Sequence, residues 1–125
     1  MKQAIQRPGI PQPLPYSHAV YASGRLLFIA GQGPIDPVTG VPIEGDFDAQ
    51  ARQTLDNLQA VAVAAGSDLS RAVKVNGYLR DMTDFARYNE IYREYFTGDL
   101  PARTTVQSDL PGFLLEVDAV LALDD

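Results

Sequence analysis

The last strand-like run of this chain, Leu114 to Leu123, is apolar on both of its faces. Alternate residues of a strand point to opposite sides. Leu115, Val117, Ala119 and Leu121 fall on one side, and Leu114, Val120 and Ala122 on the other. Leu26-Leu27-Phe28-Ile29-Ala30 has the same two-sided character. A strand apolar on both faces is normally covered on both. A length of 125 residues suits one domain, 1–125, with room for few covering elements. The periodicity below yields two helices, and two helices cover one face of such a sheet. The second face must find a partner. Self-association is the simplest source; long loops folded over that face are the other.

The rest of the chain reads as alternating strands and helices. Pro8, Pro11, Pro13 and Pro15 make an extended arm, because proline forbids helix and restricts its predecessor. His18 to Ala22 and Arg25 to Ala30 read as a hairpin turning at Ser23-Gly24. Gly31 to Asp46, rich in glycine and proline, is a long loop of the kind that often carries function. Phe47, Ala51, Leu55, Leu58, Ala62 and Ala65 recur at helical spacing, with Asp46 as N-cap and Gly66 just beyond the end. Ala72 to Arg80 is a strand. Thr83 caps a second helix from Asp84 to about Thr97, striped by Phe85, Tyr88, Ile91, Tyr92, Tyr95 and Phe96. Strands at Arg103 to Ser108 and Leu114 to Leu123 complete a ββαβαββ order. This predicts an α+β fold with a mixed sheet and both helices on one face.

Composition excludes several chemistries. There is no cysteine, so thiolate catalysis, disulfides and thiolate metal sites are out. The single histidine, His18, cannot build a multi-histidine metal site. Ten Lys and Arg against sixteen Asp and Glu give a net charge of −6, which argues against broad nucleic-acid binding. The apolar runs are too short for a membrane span or a secretory signal, so a soluble, cytoplasmic protein is expected. Gly31-Gln32-Gly33 follows a strand, but no Gly-Lys-Ser/Thr and no prompt helix follow it, so phosphate binding is rejected.

Two places could carry chemistry. Arg103 opens a strand just after Pro101-Ala102, and its planar fork could grip a carboxylate bidentately. A surface arginine or salt-bridge partner is the plainer alternative. Glu116 and Asp118 share one largely apolar strand face. Carboxylates there need a reason: a general acid or base in a cleft, or a structural ion pair with Arg103, Arg80 or Lys74.

Several segments together resemble one family. Pro15-Tyr16-Ser17, Ala30-Gly31-Gln32 and the run Ala49-Gln50-Ala51-Arg52-Gln53-Thr54-Leu55-Asp56-Asn57-Leu58 are three of them. Asp84-Phe85 with Asn89, Tyr92 and Tyr95-Phe96 is another, followed by Pro101-Ala102-Arg103, Leu110-Pro111 and Leu115-Glu116-Val117. In this order they resemble the RidA/YjgF/UK114 family of enamine/imine deaminases, from about Ile5 to Leu123. The resemblance implies a chorismate-mutase-like fold, a homotrimer with a central barrel-like core, and inter-subunit sites without cofactor or metal. It implies hydrolysis of 2-iminobutanoate, 2-iminopropanoate and 2-aminoacrylate to 2-keto acids and ammonia. Arg103 would clamp the substrate carboxylate and Glu116 would position or deprotonate water. Tyr16, Gly31, Asn89 and Thr105 would line the substrate, Gly31 and Thr105 through main chain. The alternatives are a non-catalytic trimer that binds small carboxylates as sensor or scaffold, and a ribonuclease or translation inhibitor. Ala30, Thr105 and His18 depart from residues common in relatives, all at the expected pocket mouth.

Overall fold

The computed structural model describes residues 1–11 and 13–123; Gln12 of the proline-rich arm and the last two residues lie outside them. The described elements run β1 (Lys2–Ile5), β2 (Ala19–Ala22), β3 (Leu26–Gln32), α1 (Phe47–Ala64), β4 (Ala72–Leu79), α2 (Phe85–Tyr95), β5 (Ala102–Gln107) and β6 (Leu115–Ala122). Four of the strands form one mixed sheet in the order β3-β6-β4-β5, with β4 and β5 parallel and the other neighbours antiparallel. Both helices pack on one face of it, which is the α+β layout expected.

The expected hairpin between the second and third strands does not form. β2 pairs antiparallel with β1, a short strand that sequence reading missed, and β3 pairs with β6. β1 escaped notice because Lys2-Gln3-Ala4-Ile5 holds only one β-branched residue and little alternation. The turn at Ser23-Gly24 is real, with Gly24 at φ +88°. It sends the chain from one sheet to the other, because β3 has enough apolar surface to pack in the main sheet and β2 does not.

Helix α1 starts where Asp46 accepts a hydrogen bond from the Ala49 amide at 3.0 Å, and ends before Gly66 at φ +79°. Its stripe of Phe47, Ala51, Leu55, Leu58 and Ala62 is buried; Ala65, expected on the stripe, is the exposed C-cap. Thr83 does not cap α2. Asp81 instead accepts from the Thr83 amide at 2.9 Å and opens a 3-10 turn, Met82–Asp84, that leads into the helix. Tyr88, Ile91 and Tyr92 of α2 are buried against the sheet.

The odd-numbered residues of β6 (Leu115, Val117, Ala119, Leu121) are buried under the helices. The opposite face is open. There Phe28 is 72% exposed and Leu26 44%, beside the half-buried Val120.

Candidate active site

Cross-strand partners share a sheet face, so register assigns each candidate to a side. Arg103 lies opposite Val75 and Thr105 opposite Gly77. Val75 and Gly77 in turn face Ala119 and Val117, which are buried on the helix side. Arg103 therefore points from edge strand β5 towards α2. Its guanidinium carbon lies 4.7 Å from the centre of the Tyr92 ring, 5.2 Å from Tyr88 and 5.7 Å from Phe85, all on α2. Tyr16 supplies a fourth ring at 5.4 Å. The arm that carries Tyr16 is held there by the Ser17 amide, which donates to the Pro101 carbonyl at 3.0 Å. Arg103 Nη2 donates to Asn89 Oδ1 at 2.7 Å.

What surrounds this cation is as informative as what touches it. No carboxylate of the described residues pairs with Arg103; its Nη1 is buried without a hydrogen-bond partner. An unpaired charge in a partly dry site is costly. Aromatic faces offset some of that cost, since their quadrupoles present negative charge to a cation. The arrangement leaves a planar donor fork one negative charge short among the described residues. Nearby, burial pushes the phenol pKa values of Tyr88 and Tyr92 upward, and the positive charge of Arg103 partly counters it.

Glu116 lies opposite Tyr78, on the open face. Asp118, on the same face, accepts hydrogen bonds from Asn76 Nδ2 and Tyr78 OH, both at 2.9 Å. Asp118 is thus tied up in the sheet, without the ion pair that would have given it a charged partner. Lys74 donates to Thr104 and Arg80 to the Leu110 carbonyl. Glu116 has no hydrogen-bond or salt-bridge partner among the described residues. It stands against a bulge in β3, where the register slips between Ile29 and Gln32. Gly31 sits in that bulge, and a Cβ there would be 2.5 Å from Glu116 Oε2.

The chain therefore gathers its candidates into two groups. Arg103, Asn89, Tyr16 and Thr105 meet under α2. Gly31 and Glu116 meet on the other face, across β4 from β5. One copy does not bring Arg103 and Glu116 to a common guest. His18, a departure from the family pattern, accepts from the Arg7 amide at 3.0 Å and stands edge-on to Tyr16, so it braces the arm. Among the described residues, no three His, Asp or Glu side chains gather that could hold a metal ion, and no helix is long and apolar enough to cross a membrane.

Comparison with known proteins gives this geometry a family. A sequence-family model described as endoribonuclease L-PSP matches residues 9–123. The chain belongs to the RidA/YjgF family. A RutC family protein of Pyrococcus horikoshii is 49% identical over 123 residues, covering 96% of this chain and 97% of the relative. The mouse protein named 2-iminobutanoate/2-iminopropanoate deaminase is 43% identical over 108 residues, covering 85% of this chain and 79% of its own. Among solved structures, the Rid protein YyfB of Yersinia pestis is 30% identical and superposes with a TM-score of 0.79 over 98% of both chains. In this RidA/YjgF chain Asn89, expected to line the substrate, accepts a hydrogen bond from Arg103 and so anchors the arginine. Sequence reading missed Phe85, Tyr88 and Tyr92 as neighbours of Arg103. The signal was present as aromatics at i, i+3 and i+7 on one helix, but that is also the pattern of an ordinary core stripe.

Proposed function

We propose that this chain hydrolyses small 2-imino acids and their enamine tautomers, such as 2-aminoacrylate, to 2-keto acids and ammonia. The sites form between copies of a homotrimer. The observation that carries the reading is the Arg103 fork, half-buried, ringed by aromatics and without a carboxylate partner among the described residues. The deaminase name of the mouse relative supports the same chemistry.

Arg103 binds the substrate carboxylate through paired charge-assisted hydrogen bonds. An enamine first takes a proton at its terminal carbon and gives one up from its nitrogen to water, and so becomes the imine. Water then bonds to the imine carbon as the C=N pair moves onto nitrogen, and Glu116 of a neighbouring copy takes the proton that water gives up. That proton passes to the nitrogen to give a carbinolamine; the same glutamate then carries the remaining hydroxyl proton to the nitrogen as the C–N bond breaks, so that ammonia leaves and the carbonyl forms. One water is consumed and one ammonia released. Imines already react with water unaided, so holding the two reactants in line and supplying one base accounts for catalysis without a potent nucleophile. A net charge of −6 with no basic run weighs against RNA as the substrate.

The test generates 2-iminopropanoate in solution and follows its disappearance. The wild-type protein accelerates it. Arg103→Ala loses both this acceleration and binding of a 2-keto acid, by about 100-fold for a lost charge-assisted pair. Glu116→Gln keeps the binding and loses the turnover. A wild-type protein that binds the keto acid and never accelerates hydrolysis would make the chain a carboxylate-binding protein instead.

A further inference from the structure

Given the reading that Arg103 clamps a substrate carboxylate, we infer that Tyr88 and Tyr92 of α2 are positioning residues for that clamp. Their ring faces hold the guanidinium in the plane where it meets an anion. In most binding sites a carboxylate would fix an arginine's orientation. Here a carboxylate would also fill the place of the ligand. The chain uses neutral groups instead. Asn89 pins Nη2 at 2.7 Å, and the two ring centres stand 4.7 and 5.2 Å from the guanidinium carbon. Nη1 is buried without a lone-pair acceptor among the described residues.

The rings are themselves immobilised. Tyr92 stacks on Phe96, with centres 4.2 Å apart and planes 19° from parallel. Tyr88 meets Tyr92 edge-on at 5.6 Å. The Tyr88 hydroxyl presses on the backbone of β4, so that a Cβ on Gly77 would stand 2.7 Å from it. The two hydroxyl oxygens make no hydrogen bond. Whatever the tyrosines do for Arg103 is done by the ring faces. All three contacts from Tyr88, Asn89 and Tyr92 come from one helix, which sets their spacing rigidly.

The test compares Tyr→Phe, which keeps the face, with Tyr→Leu, which stays apolar and removes it, at positions 88 and 92. KM and kcat are measured on 2-iminopropanoate, and affinity and stoichiometry on pyruvate by calorimetry. The Phe variants stay within about twofold of wild type, and the Leu variants raise KM and weaken pyruvate binding about tenfold with kcat changed far less. Stoichiometry stays the same. Simple loss of structure would lower the active fraction and leave KM in place. Leu variants that fold and bind like wild type, or Phe variants as impaired as Leu, overturn the inference while leaving the Arg103 clamp standing. If the Leu variants do not fold, the wild-type protein still decides. Its Arg103 side-chain proton resonances are shifted upfield by the rings, and random-coil values would overturn the assignment. A wild-type protein that neither binds pyruvate nor turns over the imine removes the clamp reading itself.

Discussion

Gly31 has no left-handed backbone to explain it; its φ is not positive, unlike that of Gly24 or Gly66. What it has is a neighbour. A methyl group there would stand 2.5 Å from Oε2 and 2.9 Å from Cδ of Glu116. The obstacle is a side-chain tip, which decides the outcome, because a carboxylate can swing aside where backbone cannot. Gly31→Ala is therefore expected to leave the melting temperature within a few degrees of wild type while kcat falls about tenfold, as a small displacement of a base does. Pyruvate affinity, which depends on Arg103, should stay put, and calorimetry beside single-turnover kinetics checks both. At this scale the sequence was readable where a residue was chemically odd for its place. An arginine after proline and two acids on an apolar strand face stood out. Tyr88 and Tyr92 did not, since an aromatic that packs a core and an aromatic that seats a cation leave the same mark on a helix stripe. Asn89 matched a pattern without revealing its partner, because that partner lies on β5, well along the chain.

Helix α2 and strand β4 meet through one tight contact, the Tyr88 hydroxyl over Gly77. Gly77→Ala forces the two elements apart or tilts the ring, and overpacking of this kind costs about 1–3 kcal/mol. Adding Tyr88→Phe removes the oxygen, leaving the ring carbon at 3.2 Å as the nearest atom. The double variant should recover most of the lost stability and of the pyruvate affinity, and a double-mutant cycle from urea melts checks the coupling. The same helix gives an alkaline signature. Burial raises the phenol pKa values of Tyr88 and Tyr92 in the folded protein, while the unfolded chain loses those protons near pH 10. Below that pH the two states hold the same phenol protons and stability is unaffected. Above it the unfolded state holds fewer, so stability falls by about 1.4 kcal/mol per pH unit for each tyrosine. Tyr88→Phe and Tyr92→Phe should each flatten the decline in urea midpoint between pH 10 and 11. Long helices were legible because their periodicity spans many residues; α1 begins at Phe47 as expected. Strand pairing was not, since β2 and β3 are adjacent in sequence but their partners are chosen by apolar area at distant positions.

The two-sided strands posed a question that one copy of the chain does not answer. Phe28 and Leu26 stand exposed on a face that no described element covers, in line with the half-buried Val120 of β6. In the proposed homotrimer, neighbouring copies supply that covering and also bring together Arg103 and Glu116, which lie on opposite sides of the sheet. Phe28→Asp should therefore dissociate the assembly, read by light scattering, and abolish turnover although both site residues remain. A sharper consequence concerns mixtures. If each site takes Arg103 from one copy and Glu116 from the next, then Arg103→Ala and Glu116→Gln proteins are each inactive alone. Unfolded together and refolded, they form seams in which an Arg103→Ala copy donates its glutamate and a Glu116→Gln copy its arginine. In a cyclic assembly with random assortment, about a quarter of all seams meet that condition, so about a quarter of wild-type activity should return. A mixture whose subunits have demonstrably exchanged and which stays inactive would show that the two groups do not act across a shared boundary. The anion held by Arg103 would then have to find its water and its base within a single copy, where β4 separates the arginine's strand from the glutamate's.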